Sequence, residues 1–350
     1  MPNATISDVA RLAGVSTSSV SNLLNGRSQR MRASTRDRIQ EVIDRLGYTP
    51  NQAARQLKTG HSSMIGLIVP SVANPFFGIF ARHVEEAALE HGYQVLLGNS
   101  NRDPEREYRY AEELWRSGVR SIIFGTSLGQ YQHLSELIDR GMNIVAFDQS
   151  EAPGTTTPID CIGVDNVQAS RLLTKHIIAL GHRRIGFISG PIVTVSRKDR
   201  LLGYRQSLEE AKLVFDPTLI WEGVSENFGD TSSIKLGRLG AHELLCLPEP
   251  PTAIITINDM YAFGVYAGAR DLGIGIPDGV SVAGIDNISL SEIVVPPLTT
   301  IQQPIREIAR LAVERLVARI EGQRDIPPEH RLLPPELIVR ESTAPPKTKH

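Results

Sequence analysis

Two sets of residues in this 350-residue sequence have types and spacings suited to binding chemistry. The first comprises Asn74, Asp148, Asn166, Arg200, Asn258, Asp286 and Gln303, each at or just beyond the end of an apolar run or at a crossing between runs. Alone, any of them reads as a helix cap or turn residue. Together with Phe76, Phe77 and Phe228 they supply carboxylates, amides and a guanidinium beside aromatic faces. Those groups suit several hydroxyls on a stiff apolar ring. The second set is the spacing Ala10, Gly14, Val20. In a helix-turn-helix unit these residues give close helix contact, a turn and an apolar core plug.

Catalysis has no comparable support. The sequence contains no GxSxG elbow, no HExxH, no P-loop and no GxGxxG after a strand, and its nine histidines are scattered. Cys161 and Cys246 have no CxxC partner and read as small buried residues of a reducing compartment. No catalytic residue, metal site or cofactor is expected.

The elements that must position these groups change character near residue 60. The first sixty residues read as helices: Ile6 to Ala13 behind a Thr5/Asp8 capping box, Thr17 to Leu24 capped by Ser16, and Thr35 to Leu46 capped by Ser34 and closed by Gly47. Pro50 interrupts, and 59–63 reads as a linker. From Met64 apolar runs alternate with amphipathic stretches. A first strand set is predicted at 64–70, 93–99, 121–126 and 143–148, and a second at 161–165, 184–190, 219–223, 253–258 and 281–286. Helices are predicted at 76–91, 104–117, 166–180, 200–212, 259–272 and 304–321. Continuous apolar strands separated by helices imply two parallel sheets in tandem, and a cleft between two such lobes is the default ligand site.

Composition and charge narrow the function. With 41% hydrophobic and 22% charged residues the chain is globular, and its length favours two or three units. Residues 1–60 hold nine Lys and Arg against four Asp and Glu, whereas the rest carries a net charge of about -7. A basic head on an acidic body points to a polyanion met by the head alone. The N-terminus has no signal-peptide pattern and no apolar run reaches bilayer length, so a cytoplasmic location is expected.

The strings TISDVARLAGVSTSSVSNLLNG, RIQEVIDRLGYTPNQAARQLKTG, IGLIVPSVANPFF, LGHRRIGFISGP, TINDMYAFG, VAGIDN and LPPELIVRES resemble, in order and over nearly the whole chain, the LacI/GalR family of transcription regulators. The resemblance implies an α/β chain with an all-α helix-turn-helix head and a two-lobed, periplasmic binding protein-like body. It implies domains at 1–48 (head), 49–62 (hinge helix and linker) and 63–340 (effector domain), then a tail at 341–350. The N-lobe is expected at about 63–159 and 300–323, the C-lobe at about 160–298 and 325–340.

By the same resemblance, Thr17 and Ser18 read bases while Ser16, Ser19 and Ser21 meet phosphate, with Thr5, Asn22, Asn25, Asn51 and Lys58 also on DNA. Ala54 and Leu57 match a hinge helix that forms on DNA and wedges leucine into the minor groove. Asn22 departs from the family's usual arginine and suits adenine better than guanine. Gln149 stands where pentose-binding relatives often carry arginine, which weakens a claim for ribose but not for a sugar, polyol or derivative. The implied protein is a homodimeric, allosteric repressor of pseudopalindromic operator DNA. The rival readings are a secreted sugar-binding protein, opposed by the basic head, and a sugar-modifying α/β enzyme.

Overall fold

The computed structural model describes residues 4–24, 28–29, 31–48, 62–126, 132–147, 159–224, 232–322 and 326–347. Two compact units divide the chain, Met1–His61 and Ser62–His350.

In the first unit three helices, α1 (Ile6–Ala13), α2 (Thr17–Leu24) and α3 (Ala33–Leu46), enclose a small core. Val9, Ala13, Val20 and Ile39 are buried there, so Val20 is the apolar plug its spacing predicted. Gly14 closes α1 at φ 62°, a left-handed conformation that costs glycine little. The third helix starts earlier than expected. Arg32 occupies its N-cap without a side-chain bond, and Ser34 lies inside the helix.

The second unit contains two parallel sheets. Strands β1 (Met64–Val69), β2 (Gln94–Asn99), β3 (Ser121–Phe124), β4 (Asn143–Phe147), β5 (Asp160–Val164) and β11 (His330–Leu333) form the first, in the order β11-β5-β4-β3-β1-β2. The pleat sorts its side chains: Ile65, Leu67 and Val69 join a core with helices α4 (Pro75–Glu90) and α12 (Ile305–Ile320). Ile68, Ile122 and Ile144 join the opposite core, which includes Ala111 of α5 (Pro104–Arg116) and Leu137 of α6 (Ser135–Asp139).

The second sheet has the order β7-β6-β8-β9, from β6 (Ile185–Ser189), β7 (Ile220–Glu222), β8 (Ala253–Thr256) and β9 (Ser281–Ala283). Helices α7 (Asn166–Ala179), α8 (Val195–Glu210), α9 (Ser233–Leu245) and α10 (Asp259–Asp271) cover it, and the short α11 (Leu290–Ile293) follows β9. Helix α9 was not among the predicted helices. Its glycines weaken the helical signal yet let α10 approach closely: a Cβ on Gly264 of α10 would stand 2.3 Å from the Ile234 carbonyl. The chain returns to the first lobe through β10 (Thr300–Gln302) and α12, and β12 (Glu336–Ile338) pairs antiparallel with β10.

Four expectations are corrected. The run at Cys161, predicted to open the second set, is β5 and pairs with β4 and β11 in the first sheet. A run buried on both faces looks the same in either sheet, and its partners are not written in it. By the same pairing, 330–333 belongs to the first lobe. The tail expected from residue 341 remains docked through Ala344: Thr299 N–H donates to Ser342 Oγ at 2.8 Å, and Ala344 N–H to Ser281 Oγ at 3.1 Å. Cys246 is exposed at the end of α9, while Cys161 is buried as expected.

At the foot of β5, fully buried Asp160 accepts from Arg315 Nε at 2.7 Å, Arg319 Nε at 2.5 Å and the Glu329 N–H at 2.8 Å. Burial raises its pKa, but the two guanidiniums and the N–H outweigh that and hold it below the usual carboxylate range. Asp160→Ala strands two largely buried cations, so urea denaturation should show a loss of about 3–5 kcal/mol. Because the folded pKa is depressed, Asp160 contributes stability above roughly pH 4 and loses it as pH falls through the lower folded value. The variant's deficit should therefore shrink in acid.

Candidate nucleic-acid interface and ligand cleft

The DNA-reading candidates cluster at the start of α2. Thr5 caps α1 with a reciprocal box: Asp8 N–H donates to Thr5 Oγ1 at 3.3 Å and Thr5 N–H to Asp8 Oδ2 at 3.1 Å. The Thr5 hydroxyl, the Thr5 N–H and Arg11 hold the Asp8 carboxyl below its ordinary pKa. This box sets the angle at which the chain enters α1. Gly14 then turns it, and Ser16 Oγ accepts from the Ser19 N–H at 3.2 Å.

Ser16 Oγ also lies 2.7 Å from Ser18 Oγ and 3.0 Å from Ser19 Oγ, a knot of hydroxyls at a helix N-terminus, where exposed N–H groups favour anions. Thr5, Ser16, Thr17, Ser18 and Asn22 are exposed, and Ser19 and Ser21 are half-buried. Ser18 and Asn22 are one turn apart, so both lie along one exposed stripe of α2. Burial of Val20 on the other side turns that stripe outward. Asn25, Asn51, Ala54, Leu57 and Lys58 lie outside the described residues.

In the body, six of the predicted ligand residues line one cleft: Asn74, Phe76 and Phe77 from the first lobe, Arg200, Asn258 and Asp286 from the second. The convergence follows from parallel topology, since every strand of both sheets ends toward the loops that begin these helices. Asn74 caps α4, with Oδ1 accepting from the Phe76 N–H at 3.2 Å, and Pro75 sits in the first turn as predicted. Phe76 and Phe77 stand edge to face, centroids 5.2 Å apart.

On the opposite wall, Arg200 Nη1 donates to the Ile257 carbonyl at 2.6 Å and Asn258 caps α10. Asp286 has φ 131°, where a residue with a side chain is strained by about 1–3 kcal/mol, a conformation that concentrates at functional sites. Beneath them, Asp259 accepts from Thr300 Oγ1 at 2.5 Å and Ser291 Oγ at 2.9 Å. Burial pushes its carboxyl up to about 6 against those hydroxyls. That bond ties the start of α10 to the strand that crosses back to the first lobe.

Two predicted residues stand behind the wall. Asn166 Oδ1 accepts from Arg200 Nε at 2.7 Å, and Gln303 Nε2 donates to Asp286 Oδ1 at 2.7 Å. They orient the lining groups from α7 and from the crossing after β10. Asp148 and Phe228 lie outside the described residues. Five lining residues were missed: Arg102, Phe147, Ser196, Arg197 and Ile257. Phe147 ends β4 and Arg102 follows β2, positions that the strand-end rule covers. Helix α8 begins at Val195 rather than 200, which brings Ser196 and Arg197 into its first turn. The cleft encloses about 40 Å³.

Among the described residues no group of three or more His, Cys, Asp or Glu could hold a metal, and no helix is long and apolar enough to cross a membrane.

The profile of bacterial regulatory proteins of the lacI family matches residues 5–51, and that of a periplasmic binding protein-like domain matches 174–343. The HTH-type transcriptional regulator DegA of Bacillus subtilis is 35% identical over 341 residues, 97% of this chain and 98% of its own. The solved Lac repressor dimer bound to operator and the anti-inducer ONPF matches with TM-score 0.83 at 27% identity, over 97% of this chain and 99% of its own. A LacI family regulator from Enterococcus faecium with bound ribose matches with TM-score 0.70 at 29% identity, over 81% of this chain and 100% of its own. These relatives are regulators rather than enzymes. By motif order, fold and this likeness over almost its whole length, the chain belongs to the LacI family and is a DNA-binding transcriptional regulator.

Proposed function

We propose that the protein is a homodimeric, cytoplasmic repressor whose affinity for a pseudopalindromic operator is set by a small hydroxylated effector, a sugar or sugar derivative, bound between the two lobes of the body. The observation that carries this reading is the cleft, where amide and aromatic groups of one lobe face a guanidinium, an amide and a strained carboxylate of the other. The ribose-bound relative supports the chemical class. A volume of about 40 Å³ is far below the roughly 300–1,000 Å³ of ordinary ligand pockets, so an effector must part the walls to be admitted. Effector binding and lobe arrangement are thereby coupled, which is the requirement for control at a distance.

The head reads DNA through Thr17, Ser18 and Asn22 on the exposed side of α2, with Thr5, Ser16, Ser19, Ser21, Asn25, Asn51 and Lys58 holding register on the backbone. One head covers too few base pairs for high specificity, and a twofold dimer doubles the reading. The dimer reading draws support from β2, the last strand of the described first sheet, where Leu96 and Leu97 are exposed, as is Leu89 on α4.

A thermal-shift screen of the full chain against sugars, polyols and nucleosides, followed by operator titration with each hit, tests the proposal. A ligand that raises the melting temperature and changes operator affinity is expected. Enzymatic turnover of a hit, or hits that leave operator affinity untouched, contradicts it. In the hinge, Leu57→Ala should weaken operator binding far more than binding to random duplex, because a wedge contributes only in a bent minor groove. Filter binding on both duplexes reads the difference, and equal losses would assign Leu57 to the stability of the head instead.

A further inference from the structure

The loop after β9 touches both lobes within three residues. Asp286 lines the cleft on the second-lobe side. Ile288, two positions on, is buried in the core that the first sheet builds with α4 and α12, and Met260 and Phe263 of α10 pack against that same core. Residues 286–288 therefore lead from the ligand cleft to an interlobe contact. Asp286 and Asn287 have φ 131° and 49°, consecutive positive values on residues with side chains, and such a backbone persists only where its surroundings hold it.

The holding group is Asp259. Three successive N–H groups of the loop are tied to it or to the crossing strand beside it: Asp286 N–H donates to the Ile301 carbonyl at 2.9 Å, Asn287 N–H to Thr300 Oγ1 at 3.3 Å, and Ile288 N–H to Asp259 Oδ2 at 3.1 Å. Thr300 Oγ1 passes the second tie on by donating to Asp259 Oδ1 at 2.5 Å, and Ser291 Oγ of α11 donates to Oδ2 at 2.9 Å. Asp259 is fully buried and is not among the residues that line the cleft. Its neighbour Asn258 is.

The chemistry of the tie is specific. Both carboxylate oxygens accept, and bonds to an ionised acceptor are roughly twice as strong as neutral ones. An amide in the same place would set an N–H against the Thr300 hydroxyl or against the Ile288 N–H, whichever way it turned. Beyond β10 the chain enters α12, whose Ile305 and Ile308 lie in the core that receives Ile288. The loop and the crossing strand thus reach the first lobe by two routes, and Asp259 joins them at their root.

We propose that Asp259 is a positioning residue of the effector response: it locks the 286–288 loop to the crossing strand, so that a shift of Asp286 on effector binding is passed to the first lobe through Ile288 and β10. This rests on the cleft being the effector site and concerns the transmission of binding rather than binding itself.

The test separates affinity from response in the full chain. The probes are ribose and the tightest hit of the sugar, polyol and nucleoside screen. Calorimetry gives probe affinity, and anisotropy of a labelled operator gives the ratio of operator affinities without and with saturating probe. Asp259→Asn and Thr300→Val each lower that ratio roughly 2- to 30-fold toward one, the span of coupling changes at residues that touch neither ligand, while probe affinity falls by a smaller factor. Thr300→Ser keeps the hydroxyl and keeps the wild-type ratio. If Asp259→Asn does not fold, the Thr300 pair decides alone. A ratio unchanged in Thr300→Val, one that falls only as far as probe affinity does, or one that falls equally in Thr300→Ser would overturn the inference. A wild-type ratio of one, or probe binding that survives both Asn258→Ala and Asp286→Ala, contradicts the effector reading itself and takes the inference with it.

Discussion

A chain beginning at Ser62 is expected to lose operator binding by at least a thousandfold, to the level of an acidic protein mixed with DNA. The described body has its own cores on both sheets, so the truncation removes the reader and leaves the sensor folded. What is lost is the knot of hydroxyls at the start of α2 and the basic residues around it. Phosphate neutralisation releases counterions, and a dimer making 6–10 such contacts loses roughly 10³–10⁵ in affinity between 50 and 200 mM salt. Anisotropy of a labelled operator, selected from random duplexes, reads both effects. The full chain should give a steep salt slope and the truncated chain none. A truncated chain that kept its operator affinity would move the DNA-reading surface to the body.

Asp286→Ala is expected to weaken effector binding about tenfold to a hundredfold and to remove the effector's influence on DNA at concentrations that saturate the wild type. A buried carboxylate hydrogen-bonded to a ligand hydroxyl contributes about 1.5–3 kcal/mol, and Gln303 already fixes one of its oxygens. Operator affinity without effector should stay near the wild-type value, because the substituted group lies in the cleft. Asp286→Asn, which keeps the shape and removes the charge, separates recognition from backbone strain at φ 131°. If the alanine variant responds to effector at wild-type concentrations, Asp286 is a turn residue and the ligand sits elsewhere.

Local chemistry was the most legible part of the chain. The Thr5/Asp8 box, the Gly14 turn and the Asn74-Pro75 helix start are short-range devices, each decided by neighbours within four residues, and each reads directly from the string. The strand-end rule brought six lining residues together because parallel sheets leave their loops on one side. Long-range choices were less legible. Nothing in Cys161–Val164 tells which sheet it joins, and Ser342 is anchored through single hydrogen bonds that no periodicity announces. Arg102 and Arg197 were passed over for another reason: a surface arginine and a cleft arginine look alike until the start of α8 and the turn after β2 are known.

The most direct test is the thermodynamic cycle joining the two sites. Operator affinity is measured with and without saturating effector, and effector affinity with and without saturating operator, on the same full-length protein. The proposed mechanism predicts that the two ratios are equal and differ from one, by roughly 5- to 150-fold. Effector bound in the cleft with both ratios equal to one in the wild type would contradict it.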